Sequence, residues 1–168
     1  MPAHEYEQPY GDLATLNTER LILDSVGPEL LTDVARDTLD VLETSMAVYE
    51  RRGDYASGIF ASGWCRLMDQ SSRRLCETNN NSDAIGCGKW LCHEHCWGSA
   101  EASMDAGESI ERSCPGGIQL FAVPIVAADE GVGAISMGHG NPALEPHAHE
   151  QLATRFQVDV DDIRKQAH

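Results

Sequence analysis

The chain has 168 residues, of which 42% are hydrophobic and 23% charged, a balance typical of one globular domain. Acidic residues number 27 against 12 basic ones, which gives a formal net charge of −15. That excess of acid disfavours binding to nucleic acid or to an anionic membrane, because both need clustered lysine and arginine.

Residues 1–26 are expected to form an N-terminal lead-in segment, of which the polar residues 1–12 are loose. It has no basic region followed by an apolar core, so it is not a secretory signal. No part of the chain approaches the ~20 apolar residues of a membrane span. The sequence therefore predicts a cytoplasmic protein, in which cysteines remain reduced thiols.

Helices and a hairpin are predicted for the first two thirds of the chain. Pro28 begins a helix, since proline at the first turn loses no hydrogen bond, and apolar residues at helical spacing carry it to Leu42. Alternating residues then predict a β-hairpin. Residues 77–88, with three asparagines in a row, are predicted as a loop between two further helices. The hairpin arms cover 44–51 and 55–61, and the helices cover 63–76 and about 89–104.

The last third is predicted to contain three strands followed by helix. The strands cover 110–114, 118–127 and 131–138, separated by glycine-rich turns, and helix returns over 146–156 and 159–168. This order predicts an α+β fold with a five-stranded antiparallel sheet and helices mainly on one face. We expect a sensory domain over 27–145 and a C-terminal signalling or linker helix over 146–168, with the natural chain continuing beyond it.

All six cysteines lie between positions 65 and 114. On a helix, Cys92, His95 and Cys96 share one face. A tetrahedral zinc site needs four Cys or His ligands, and an iron–sulfur cluster is typically held by four cysteines. Both requirements are satisfied by Cys92 and Cys96 together with Cys114 and either Cys65 or Cys76. Reactive or ligand-contacting thiols and inert buried cysteines remain the alternatives.

Several motifs resemble the PocR-type ligand-binding domain, a cysteine-bearing relative of the PAS and GAF sensor modules. The matching segments cover roughly residues 40–142 and are Trp64-Cys-Arg-Leu-Met68, the helix that follows Cys92, Cys114-Pro-Gly-Gly-Ile118, Phe121-Ala-Val-Pro-Ile125 and the glycine-rich stretch 131–140. The resemblance implies an antiparallel PAS/GAF-like sheet. It also implies small-molecule sensing ahead of histidine kinases, cyclic-nucleotide enzymes or transcription regulators, with Cys65, Cys92 and Cys114 at the positions where such domains usually show cysteine.

The sequence thus predicts a non-catalytic signal-sensing domain, as in a two-component system, acting as a homodimer on an effector C-terminal to the chain. It would bind a small molecule or a cysteine-held metal centre, zinc or iron–sulfur. The expected ligand contacts are Cys65, Trp64, Trp90, Phe121 and Met137. The expected metal ligands are Cys65, Cys76, Cys92, Cys96, Cys114 and His95. A GAF-like thiol enzyme that reduces oxidised methionine and an adaptor with a structural zinc are the alternatives.

Overall fold

A five-stranded antiparallel sheet forms the centre of the computed structural model, which describes residues 9–61, 63–142 and 145–167. The strand order is β2-β1-β5-β4-β3. The strands are β1 Ser45–Glu50, β2 Phe60–Ala61, β3 Ile110–Ser113, β4 Gln119–Ala127 and β5 Glu130–His139. The predicted fold class, α+β with a five-stranded antiparallel PAS/GAF-like sheet and flanking helices, is confirmed.

The predicted helices are present within a few residues of their expected ends. The helices are α1 Leu21–Val26, α2 Pro28–Leu42, α3 Gly63–Arg74, α4 Asn81–Ile85, α5 Leu91–Ala106, α6 Pro146–Phe156 and α7 Val160–Gln166. The short helix α4 lies where a loop was predicted. Its N-terminus is capped by Asn80, whose side chain accepts the Asp83 N–H.

Helices cover both faces of the sheet. Helix α5 packs on one face, where Ala47 and Tyr49 of β1 point, and α1 and α2 pack on the other, against Met46 and Val48. The physical reason lies in β1 itself. Its successive side chains point to opposite faces, and all four of these are apolar and buried, so each face needs a cover.

The lead-in segment is packed into the core from Leu13 onward. Helix α1 is held by Glu50 of β1, a fully buried carboxylate that accepts the N–H groups of Ile22 and Leu23 at 3.0 Å. Gly133 of β5 lies beneath it, and a Cβ there would collide with the Tyr49 carbonyl and with Ile22. Residues 1–8 lie outside the described part of the chain.

The C-terminal residues form two helices that pack on α3. Phe156 of α6 and Ile163 of α7 are fully buried with Trp64 and Met68 of α3. The segment predicted as a linker helix is therefore in direct contact with the elements around the site described next. Among the described residues, no helix combines the length and the apolar character needed to cross a membrane.

Candidate functional site

A small internal cavity lies between the sheet and helices α3 and α5. Its volume is about 40 Å³, and its walls include Cys65, Cys92, Cys96 and Cys114. These four are the free cysteines among the described residues. A cavity of this size holds about three water molecules at roughly 10–15 Å³ each, whereas pockets for drug-sized ligands measure roughly 300–1,000 Å³. The cavity suits a compact occupant.

The four thiols come from three separate segments. Cys65 lies in the first turn of α3, and Cys92 and Cys96 lie one turn apart on α5. Cys114 begins the turn between β3 and β4, where its N–H donates to the Ile118 carbonyl at 2.8 Å and its Sγ accepts the Ile118 N–H at 3.4 Å. Cys65, Cys92 and Cys114, which the sequence analysis singled out, thus line one cavity together with Cys96.

All four thiols have raised pKa values. Burial raises the pKa of Cys65 to about 12, and the neighbouring Cys114 adds to the rise because two thiolates would repel. Burial likewise raises the pKa of Cys92 and Cys96 well above the ordinary value. Burial also raises the pKa of Cys114, although backbone N–H groups and Arg155 oppose the rise. The thiols are thus neutral near pH 7, and a bound cation would have to displace their protons.

Asp69 of α3 contributes a buried carboxyl group to the same cavity. It accepts the Trp90 indole N–H at 2.8 Å and the Tyr10 hydroxyl. Burial raises its pKa from 3.8 to about 6, and the two hydrogen bonds oppose that rise by stabilising the ionised form. Arg73, one turn along α3, packs over the rings of Tyr10 and Trp90. A protonation equilibrium close to neutral pH is thus built into the cavity wall.

The cavity wall also includes His93, which the sequence interpretation passed over in favour of His95. The Nδ1 atom of His93 lies 2.5 Å from the Tyr55 hydroxyl, and burial lowers its pKa to about 4, so the ring is neutral. His95 does not line the cavity, and its Nδ1 atom lies 3.0 Å from the Leu91 carbonyl. Successive helical residues are rotated by roughly 100°, so the two histidines flank the Cys92–Cys96 stripe on opposite sides.

Two expectations about the remaining cysteines are wrong. Cys76 and Cys87 form a disulfide, with their Cα atoms 5.9 Å apart, whereas all six cysteines were expected to be free. A sulfur atom in a disulfide has no thiolate to offer a metal ion, so Cys76 is not a ligand in this state. The bond links the end of α3 to the segment that precedes α5.

The predicted ligand contacts are divided between the two faces of the sheet. Trp64 lines the cavity, and its indole N–H donates to the Gly116 carbonyl at 2.9 Å. Trp90 is fully buried behind Asp69 and does not line it. Phe121 and Met137 are cross-strand neighbours. The residues next to them in their strands, Leu120 and Ser136, line the cavity. Because successive side chains of a strand point to opposite faces, Phe121 and Met137 lie on the face opposite to the cavity. The expectation that Phe121 and Met137 contact a ligand in this cavity is therefore wrong.

No family model, curated protein or solved structure matches the chain. The site must be judged from its own geometry. Within the ranges that the structure describes, no three Cys, His, Asp or Glu side chains are grouped so that they could hold one metal ion. The four thiols instead line the walls of a cavity. The arrangement offers four soft sulfur donors, enclosed by apolar walls, around a space for a compact group.

Proposed function

We propose that the chain is a sensory domain whose four free cysteines hold an iron–sulfur cluster, and that the state of this centre regulates a fused or partner effector such as a histidine kinase. One observation carries the proposal. Thiols from α3, α5 and the β3–β4 turn line one small enclosed cavity, and they are the free cysteines among the described residues.

The donor set matches a cluster in the number and kind of its ligands. Four cysteine thiolates are the usual ligands of a [4Fe–4S] cluster, and each binds its own iron, so the sulfurs surround a volume instead of meeting at one ion. Cys65, Cys92, Cys96 and Cys114 would hold the group. When bound, such a cluster supplies a reversible one-electron change whose potential depends on burial and on hydrogen bonds to sulfur.

The chain's own residues supply those hydrogen bonds. The Ser45 and Ser136 hydroxyls lie beside Cys65 and Cys96 and oppose the rise of the thiol pKa values. Within the described part of the chain, the buried Ser136 hydroxyl has no hydrogen-bond partner other than the Cys96 thiol. Backbone N–H groups of the β3–β4 turn stabilise the Cys114 thiolate in the same way. Each donor favours the thiolate that a metal centre needs, and thereby offsets part of the cost of burial.

The raised pKa values support a binding role over a catalytic one. A nucleophilic cysteine needs a depressed pKa, which positive charge or a helix N-terminus can provide. Burial has the opposite effect on all four thiols here. A thiol-based reductase of oxidised methionine is therefore the weaker interpretation.

A route from the cavity to an effector is available through the C-terminal helices. Cys65, Cys92 and Cys114 pack in the same apolar cluster as Phe156 of α6 and Ile163 of α7. A change in the spacing of the sulfurs would therefore move residues that α6 and α7 contact. Such a shift would bias a two-state effector attached beyond these helices.

The proposal is tested by anaerobic purification followed by iron, acid-labile sulfide and zinc analysis. We expect iron and sulfide in equal amounts, about four of each per chain as in a [4Fe–4S] cluster. Cys65→Ser, Cys92→Ser, Cys96→Ser and Cys114→Ser should each lose most of the iron. The matched control Cys87→Ser should retain it, because Cys87 lies outside the cavity. A colourless protein that keeps one zinc, or takes up no iron on reconstitution, would refute the cluster.

A further inference from the structure

A second, open cleft lies outside the cavity, between the end of α3, the start of α5 and the end of α6. Its volume is about 600 Å³. Arg74, Lys89 and Arg155 line it, together with the acidic Glu77 and the buried Ser71. Arg155 also lies close enough to Cys114 to lower the pKa of that thiol. The cleft thus lies close to the cysteine-lined cavity, but charged side chains line the cleft whereas mainly apolar ones line the cavity.

The charge of this cleft is opposite to that of the chain. Three cations and one carboxylate give a local balance of +2, within a protein whose net charge is −15. None of Arg74, Lys89 and Arg155 makes an ion pair with any residue in the described ranges, although the sequence contains 27 acidic residues. Three cations without ion pairs repel one another across a shared cleft, and an anion between them would relieve that repulsion.

Polar groups and a helix terminus lie at the same cleft. Ser71 is 1% exposed, and its hydroxyl accepts a hydrogen bond from Arg74 Nη2 at 3.1 Å. The 16-residue helix α5 begins at Leu91 in the cleft wall; Trp90 does not cap it with its side chain, and the Cys92 N–H donates to the Ser72 hydroxyl at 3.5 Å. The positive end of a helix favours an anion, and at Leu91 it adds to the three side-chain charges.

We propose that this cleft binds a small dianion, a molecule with a phosphate group or two carboxylates. The local balance of +2 matches two negative charges. The arginine guanidinium groups present the planar donor pairs that recognise phosphate and carboxylate oxygens. The acidic remainder of the surface repels a long polyanion, so the occupant is small. This site is independent of the cluster, because none of the four cysteines lines the cleft.

The test is a titration of the ¹⁵N-labelled chain with inorganic phosphate and, separately, with succinate, at constant ionic strength. We expect saturable shifts of the Gly88, Lys89 and Leu91 amide signals. A response to phosphate alone assigns a phosphate-bearing ligand, a response to succinate alone assigns a dicarboxylate, and a response to both assigns the shared chemistry; each outcome supports the proposal.

Charge-removing variants make the test decisive. Arg74→Gln and Arg155→Gln should each weaken binding about tenfold or more, because each removes a charge-assisted hydrogen bond. Arg164→Gln is the matched control, since Arg164 is exposed on α7 and paired with Asp161. It should bind as the parent does. Shifts that never saturate, or equal affinity in all three variants, would overturn the proposal.

Discussion

Replacing Asp69 by asparagine should remove a pH dependence of stability that this buried carboxyl imposes on the metal-free protein. Burial raises the pKa of Asp69 from 3.8 to about 6. The folded state therefore binds this proton more tightly than the unfolded state does. Below about pH 4 the Asp69 carboxyl is protonated in both the folded and the unfolded state, so it does not lower the stability. As the pH rises towards 6, the folded state must either keep this proton or bury a charge. The wild type therefore loses stability over this window.

The magnitude follows from the shift. One pKa unit corresponds to about 1.4 kcal/mol, so the unfolding free energy of Asp69→Asn, minus that of the wild type, should rise by roughly 2–3 kcal/mol between pH 4 and pH 7. His93 acts in the opposite direction. Its pKa is lowered to about 4, so its contribution is present above its ordinary pKa of 6.5 and is lost as the pH falls. Both proteins contain His93, so its effect cancels in the difference.

The assay is urea denaturation of metal-free wild type, Asp69→Asn and the control Asp105→Asn at four pH values between 4 and 7. Asp105 is exposed at the end of α5 and does not line the cavity, so its variant is the matched control for replacing an aspartate by asparagine. The difference between variant and wild type is the informative quantity, because the amide also alters the hydrogen bonds to Tyr10 and Trp90. A difference that stays constant with pH, or falls as the pH rises, would refute the assignment of a raised pKa to Asp69.

Two further pairs of variants test the packing that supports the cavity, each measured by urea denaturation at pH 7. Gly133→Ala should lower the unfolding free energy by about 1–3 kcal/mol, because its Cβ would collide with the backbone of β1 and with α1. In Gly98→Ala the new Cβ lies in open space on α5, so the unfolding free energy should rise by up to about 1 kcal/mol. An unchanged unfolding free energy in Gly133→Ala would contradict the close approach of α1. Glu50→Gln should cost about 1–3 kcal/mol, because a buried carboxylate that accepts two backbone N–H groups is replaced. The exposed Glu130→Gln should change nothing measurable, and equal effects of the two would show that Glu50 does not hold α1.

The pairing of Cys92 and Cys96 was accessible from the sequence because it depends on local periodicity. The two residues are four apart, so any helix in this segment places them on one face. Cys65 was predicted at the start of a helix and Cys114 at the end of a strand, but the strands that precede them, β2 and β3, lie at opposite edges of the sheet, so no local pattern brings these two cysteines together. The sequence analysis chose His95 over His93, but the two histidines flank the cysteine stripe on opposite sides, and the spacing does not show which of them faces the cavity.

The wrong expectations share a physical origin. Strand β4 is apolar at every position from Leu120 to Val123, so its pattern does not reveal which side chains point towards α5. Phe121 was therefore expected on the ligand-binding face, whereas it is Leu120 that faces the cavity. The Cys76–Cys87 bond depends on the path of a loop rich in asparagine and glycine, and no periodicity specifies such a path.

The proposed cluster requires that four particular sulfurs hold iron, so the decisive experiment locates the metal. A crystal of the anaerobically purified protein, with data collected on both sides of the iron absorption edge, should give an anomalous difference peak enclosed by Cys65, Cys92, Cys96 and Cys114. Iron found outside this cavity, or a cavity with four unligated thiols in protein prepared with its full metal complement, would contradict the account.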